Sequence, residues 1–280
     1  MCDTCGCTIT PGNAHLVKAE GKLAHTHEGR ATVEVLADLL HENDHQAEHN
    51  REHFERHGVL ALNLMSSPGS GKTSLLEATI DALRGEFSIA VIEGDLETEN
   101  DARRIRARGV PAVQITTGQA CHLDAHMVHD ALHDLERDGT DLDDIDLLFI
   151  ENVGNLVCPA SFDLGHHRNV ALLSVTEGDD KPAKYPVMFR AADLVVLSKA
   201  DFLQMVDDFD PARAERHVRE LANPAAVLTL SARRPETLQP WLDWLRRTLA
   251  ARRAGQSLRP RLQPDGVPQY RSVSPPAGAP

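Results

Sequence analysis

Val59-Leu60-Ala61-Leu62-Asn63-Leu64-Met65 runs directly into Ser66-Ser67-Pro68-Gly69-Ser70-Gly71-Lys72-Thr73 and then into the helical stretch Ser74 to Leu83. An apolar strand, a glycine-rich turn and a helix in that order form a phosphate-binding loop. Gly69 and Gly71 let the backbone approach phosphate oxygens. Successive N–H groups around Ser70, with the helix N-terminus at Ser74, offer partial positive charge. Lys72 reaches the β and γ phosphates, and the Thr73 hydroxyl is a ligand for Mg²⁺. Ser66 stands where the general motif G-x-x-x-x-G-K-[ST] has its first glycine. A plain glycine-rich turn is the competing reading, but at a glycine usage of ~7% the core G-x-G-K-[ST] arises by chance in roughly one chain per hundred of this length.

Outward from that loop, apolar runs alternate with helical stretches: Ile89 to Ile92, Ala112 to Ile115, Ile145 to Ile150, Val170 to Val175, Leu194 to Leu197 and Ala226 to Leu230. Short β-branched runs separated by helices predict an α/β fold, a largely parallel sheet with flanking crossover helices, over residues 58–253. The last helix is expected at about Glu236 to Arg253. Upstream, Val33, Leu36, Leu40, Ala47 and Phe54 recur at helical spacing and predict an amphipathic helix over 31–57. Residues 1–30, punctuated by glycines and Pro11, read as a flexible arm. Residues 254–280, with six prolines from Pro260 onward, read as a disordered tail.

Composition narrows the functional class. The chain has 280 residues, 41% hydrophobic and 25% charged, which excludes a wholly disordered protein. No window approaches a membrane span and the N-terminus lacks the order of a signal peptide, so a cytoplasmic protein is expected. A net charge of −13 opposes nonspecific binding to nucleic acid or anionic lipid.

Later strand ends select the nucleotide and the chemistry. Ser198-Lys199-Ala200-Asp201 resembles the N-K-x-D motif, with Ser198 for Asn. A carboxylate at Asp201 accepts together from the ring N–H and exocyclic amine of guanine, a donor pair adenine does not present. Lys199 is expected along the base plane, and Ser231-Ala232 resembles a short base-contacting element. Asp95 and Glu151 follow strands and are candidates for Mg²⁺ and the attacking water, and Glu151 with Gly154 resembles the D-x-x-G switch. A helix cap is the ordinary use of such an acid.

Cysteine and histidine spacing points to metal. Cys2, Cys5 and Cys7 form C-x-x-C-G-C, three soft ligands within six residues. With a freed α-amine they suit square-planar Ni²⁺, and Zn²⁺ is the other candidate. Cys121-His122 and Cys158 lie just beyond strand ends, the side where ligands collect in such sheets; burial as inert thiols is the equal alternative. His41, His45, His49, His53 and His57 recur every four residues opposite the apolar face, an exposed stripe that reads equally as a weak metal buffer or a solvated face. His126, His129 and His133 read as a solvated face.

The combination of C-x-x-C-G-C, the Leu62 to Thr73 segment, Ile92-Glu93-Gly94-Asp95, Glu151-Asn152-Val153-Gly154-Asn155-Leu156-Val157-Cys158-Pro159, Thr176 to Pro182 and Cys121-His122 resembles the HypB family of hydrogenase nickel-incorporation GTPases. The resemblance implies a SIMIBI-class GTPase with GTP/GDP and Mg²⁺ as cofactors; because the sequence offers no obvious arginine finger, turnover is expected to be slow. It also implies a nucleotide-dependent homodimer, a nickel or zinc site at Cys121, His122 and Cys158, and nickel delivery to a [NiFe]-hydrogenase large-subunit precursor with a HypA-type chaperone as partner. A nickel-storage protein with a vestigial nucleotide domain, or a metal-insertion GTPase for another nickel enzyme, are the alternatives.

Overall fold

Seven strands realise the seven apolar runs in a computed structural model that describes residues 40–95, 99–118 and 120–261 and the backbone of 30–39. Cys2, Cys5 and Cys7, the side chains of Val33 and Leu36, and the tail from 262 onward lie outside the described residues. The strands are β1 (Leu60–Ser66), β2 (Ile89–Asp95), β3 (Ala112–Thr116), β4 (Leu147–Glu151), β5 (Arg168–Ser174), β6 (Leu194–Ser198) and β7 (Ala226–Thr229). They form one sheet in the order β3-β2-β4-β1-β5-β6-β7, every neighbouring pair parallel. The inner parallel strands are covered on both faces, which is why their runs are largely apolar rather than alternating; all seven residues of β1 are buried, whereas the edge strands β3 and β7 are partly exposed.

Helices α1 (Arg30–Arg56), α2 (Lys72–Leu83), α3 (Asn100–Arg106), α4 (Ala125–Arg137), α5 (Lys181–Lys184), α6 (Pro186–Ala191), α7 (Pro211–Glu220) and α8 (Gln239–Arg253) cover the sheet. Successive strand residues point to opposite faces. Leu60, Leu62 and Leu64 therefore join Leu75, Leu76 of α2 and Trp241 of α8 in one layer. Ala61, Ala90 and Ile92 meet Phe54 of α1 and Val128, Leu132 of α4 in another. Each fully buried leucine contributes about 1.5–3 kcal/mol. The Trp241 indole N–H donates to Thr79 Oγ1 at 2.8 Å, so the large ring is buried without an orphaned donor.

Between β4 and β5, β1 is the strand from which the sheet is wound in both directions, so its carboxyl end opens at the topological switch point where such sheets bind ligands. The phosphate loop stands at that end.

Two boundaries and one exposed face differ from the sequence expectations. The last helix starts at Gln239, because Pro235–Thr237 form a separate 3-10 turn. The expected tail does not leave the domain at 254: Leu258 is buried, Arg259 pairs with Glu48 at 2.8 Å, and the backbone N–H of Arg261 reaches Asp193 at 3.4 Å. Finally, the histidine stripe is exposed only at His41, His45 and His49, while His53 and His57 are half-buried because α1 packs across α4.

The docked face of α1 is also more polar than its apolar residues suggest. Asn43, Asn50 and Arg51 are buried beside Ala47 and Phe54. Asn50 donates to the carbonyls of Ala125 (2.7 Å) and Leu164 (3.2 Å), and Arg51 donates to those of Gly165 and His166 and to Asp163 at 2.6 Å. Gly165 permits this approach: it has φ +87°, and a Cβ there would lie 2.5 Å from the Ala47 carbonyl. No helix among the described residues is long and apolar enough to cross a membrane.

Candidate functional site

Gly69 (φ +74°) and Gly71 (φ +94°) supply the left-handed turns of the phosphate loop, and α2 starts at Lys72. Ser66, the departure from the general motif, has a role: its Oγ accepts from Lys72 Nζ at 3.1 Å. The Ser198 hydroxyl donates to the Ser70 carbonyl at 2.7 Å, tying the loop to the end of β6. Glu177, which sequence reasoning did not single out, reaches into the loop, where its carboxylate accepts from Ser67 and, at 2.5 Å, from Ser70.

Beneath the loop sits a buried acid pair. β2 and β4 are in register at Glu93 and Glu151, which are 2% and 3% exposed. Thr73 Oγ1 donates to Glu151 Oε1 at 2.9 Å, and Lys72 Nζ lies 4.0 Å from the same oxygen. Burial raises both carboxyls, and Glu151 beside it raises Glu93 further, while Lys72 and Thr73 oppose the rise at Glu151. Glu93 is thus the member that keeps its proton and Glu151 the better acceptor. The two carboxyls hydrogen-bond to each other through the proton that Glu93 keeps. Two buried carboxyl groups beside a threonine hydroxyl form an oxygen-only donor set that fits a hard cation such as Mg²⁺. Asp95 closes β2 at the same edge, paired in register with Thr116, but the single Thr73 hydroxyl proton goes to Glu151.

Next to the loop opens a cavity of about 160 Å³, lined by Gly71, Ser74, Lys199, Asp201, Ser231 and Ala232 among others. The expected base-contacting residues, far apart in sequence, meet here. Lys199 is held in the left-handed region (φ 57°), with its Cε near Gly71. Ser231 Oγ donates to Asp201 Oδ1 at 2.6 Å, and this bond holds the Asp201 carboxyl below the usual range, so it is ionised and accepting. A larger cavity of about 370 Å³ lies at the opposite end of the strands, around Ser88, Pro111 and Ile145, away from all of these groups.

Cys121, His122 and Cys158 come together as well. One ligand atom from each lies within 4.8 Å of the others. Cys121 Sγ is 3.1 Å from Cys158 Sγ and 3.6 Å from His122 Nδ1, and the His122 ring stacks on Phe162 with centroids 3.9 Å apart. The bond to Cys158 pushes the Cys121 thiol up to about 12. The Cys121 thiol resists ionising without a cation beside it, and a bound metal inverts that preference. Two sulfurs and an imidazole select a soft or borderline ion.

The segment after Glu151 is fastened to both sites. Gly154 lies against the loop so closely that a Cβ there would sit 2.8 Å from Pro68 Cα. Asn152 Oδ1 accepts from Leu123 N at 3.1 Å, and Asn155 Nδ2 donates to the Cys121 carbonyl at 3.3 Å. These two asparagines were quoted in the sequence motif without an assigned role.

The chain matches the CobW/HypB/UreG nucleotide-binding domain family over residues 60–229. It is 52% identical over 221 residues to the hydrogenase maturation factor HypB of Azotobacter chroococcum, covering 79% of this chain and 70% of that one. It is 51% identical over 216 residues to the HypB of Escherichia coli K12, covering 77% and 72%. The crystal structure of Helicobacter pylori HypB in complex with nickel superposes with a TM-score of 0.72 at 44% identity, covering 77% of this chain and 97% of that one.

Proposed function

The chain belongs to the HypB family of hydrogenase maturation factors, and from that membership we propose that it is a GTP-hydrolysing nickel metallochaperone that assists nickel insertion into a [NiFe]-hydrogenase large-subunit precursor. The observation that carries this reading is the physical tie between its two sites. One segment, Glu151 to Cys158, holds the Thr73 hydroxyl at one end, lies on Pro68 at Gly154, and supplies a thiol to the metal cluster at the other.

Guanine selection rests with Asp201, which accepts from the base edge while Lys199 flanks it. Lys72 neutralises β and γ phosphate charge, and the loop backbone around Ser70 donates to phosphate oxygens. Mg²⁺ bound by Thr73 with Asp95 or Glu151 would neutralise charge on the β and γ oxygens. Glu177 must give up the hydroxyls of Ser67 and Ser70 when phosphate enters, since two anions cannot share that loop. With no arginine assigned to the γ-phosphate, hydrolysis is slow.

Loss of the γ-phosphate relaxes the segment around Gly154, and Asn152, Asn155 and Cys158 carry that change to Cys121 and His122. Nickel at this cluster is cargo whose affinity depends on nucleotide state, with zinc its competitor. Cys2, Cys5 and Cys7 form a second nickel site. A nucleotide-dependent homodimer formed through this face belongs to the same reading. A HypA-type chaperone and the precursor are the partners, in the cytoplasm.

The test is nickel affinity measured in GDP and in a nonhydrolysable GTP analogue, on a Cys2→Ala/Cys5→Ala/Cys7→Ala variant. The coupled reading requires unequal affinities, and linkage then requires nickel to shift GTP and GDP binding by unequal factors in return. Identical affinities above and below the dimerisation concentration overturn the coupled reading.

A further inference from the structure

Where α1 crosses α4, the lower end of the histidine stripe meets the histidines of the second helix. His53 and His57 project from consecutive turns of α1, their ring centroids 4.7 Å apart, and His133 of α4 faces His53 at 6.3 Å. Glu136, one turn beyond His133, brings its Oε1 to 3.8 Å from His53 Nε2. One ligand atom from each of His53, His57 and Glu136 lies within 4.8 Å of the other two. With metal bonds of about 2.0–2.2 Å to nitrogen and oxygen, small side-chain rotations close such a triangle around one ion.

Three details distinguish this cluster from a solvated polar patch. His53 Nε2 is buried and has no hydrogen-bond partner, the condition of a ligand atom aimed inward. Asp143, from the 3-10 turn Leu142–Asp144, takes the Nδ1 side of His57 at 2.7 Å, which fixes the tautomer that leaves the Nε2 lone pair free. A carboxylate behind a histidine is the usual outer support of a metal ligand. On the other helix, His133 Nδ1 holds Glu136 Oε2 at 3.0 Å and leaves Oε1 toward His53, while His129 backs His133 at 3.2 Å.

We propose that His53, His57 and Glu136 form a transition-metal site between α1 and α4, for a borderline divalent ion such as Ni²⁺ or Zn²⁺, with Asp143 as the positioning residue for His57. Two imidazoles and one carboxylate, with no sulfur, favour this class over Cu⁺ on the soft side and over Mg²⁺ or Ca²⁺ on the hard side. The site is separate from the thiol cluster. Cys121 and His122 precede α4 at its N-terminus, whereas Glu136 lies in its last turn, roughly 16 Å along the axis at 1.5 Å per residue. An ion here bonds to both helices and clamps α1 onto the domain.

The experiment uses the full-length chain with all five cysteines changed to Ser, titrated with Ni²⁺ and with Zn²⁺ against a competing chelator, alongside thermal unfolding. One ion per chain is expected, with a metal-dependent rise in melting temperature. His53→Gln and His57→Gln should each abolish that equivalent and the rise. Asp143→Asn should keep the stoichiometry but weaken affinity roughly 10- to 100-fold. A His41→Gln/His45→Gln variant, on the exposed part of the stripe, should change neither. Retention of the ion in His53→Gln, or equal losses in the His41/His45 variant, overturns the site. Circular dichroism of each metal-free variant identifies any that fail to fold, in which case the Asp143→Asn affinity decides.

Discussion

Acid should destabilise this fold through two adjacent buried histidines, and the size of the effect follows from their surroundings. His166 and His167 are 1% and 0% exposed in the loop that receives α1. Burial holds His166 down at about 4, and burial with the nearby Arg252 and Arg51 guanidiniums holds His167 at about 3. His167 Nδ1 accepts from Ala61 N at 3.0 Å, so the neutral ring is the one the fold uses. In the unfolded chain both protonate near 6.5. Between pH 6.5 and about 4 the unfolded state therefore binds more protons, and stability falls as pH falls. At pH 5 the solution is ~1.5 units below the unfolded value while both folded rings stay neutral, which is about 2 kcal/mol per ring at 1.36 kcal/mol per unit, or about 4 kcal/mol together. Against a typical total of roughly 5–15 kcal/mol this is large, roughly 8–16 °C in melting temperature. The assay is chemical denaturation at pH 7 and pH 5 of the parent and of a His166→Gln/His167→Gln variant. Carboxyls raised by burial, such as Glu93, gain stability on acidification and do so in both proteins, so the comparison isolates the histidines: the variant should lose about 4 kcal/mol less between the two pH values, whatever its stability at pH 7. Equal losses would refute the argument, as would a proton magnetic resonance titration of either ring near pH 6.5.

Asp201→Asn should weaken GTP by roughly 10- to 100-fold, the worth of a bidentate base contact, while improving xanthosine triphosphate. Calorimetry reads both, and equal binding of ATP and GTP by the parent would remove the guanine assignment. Gly154→Ala places a methyl 2.8 Å from Pro68 Cα, so it should push the segment off the loop at a cost of about 1–3 kcal/mol and lower nucleotide affinity; unchanged GTP affinity would show that the contact is not kept when nucleotide binds. Arg51→Ala strands Asp163 and two carbonyls and should cost about 3 kcal/mol by denaturation, with nucleotide affinity little changed.

The sheet was legible because a strand buried on both faces must be largely apolar along its length, and the inner runs carry that mark; the partly exposed edge strands β3 and β7 were legible as short apolar runs between helices. The phosphate loop was legible for a different reason: phosphate recognition is done by backbone, and only glycine and a following Lys-Thr allow it. What sequence withheld was partnership at a distance. Glu93 reads as one more residue of a β-strand until register sets it against Glu151. Glu177 is an unremarked acid until the fold carries it to Ser67 and Ser70, more than 100 positions away. Asn50 and Arg51 look like the solvated side of a helix, because the carbonyls they satisfy leave no trace in sequence. Spacing suggested that Cys121, His122 and Cys158 belong together, since all three follow strands, but only the sheet order brings those strand ends close. Asp95 was placed on the same logic and closes β2 at the same edge, while Glu151 accepts from the Thr73 hydroxyl.

β1, the strand that ends in the phosphate loop, has both of its sheet neighbours far downstream: Leu60 pairs with Leu147, and Leu62 with Arg168. On a ribosome adding ~5–20 residues per second, the chain waits roughly 5–20 s after β1 emerges before either partner exists. Through that interval a strand as apolar as Leu60 to Met65 has no sheet to join, and the nucleotide that stabilises the finished site has nothing to bind. Contacts of such long range also make the closing step slow once the partners arrive. The nascent chain is therefore most exposed to aggregation between the synthesis of β1 and that of β5, and substitutions that make β1 more apolar should lower the yield of soluble protein even where they leave the stability of the folded domain intact.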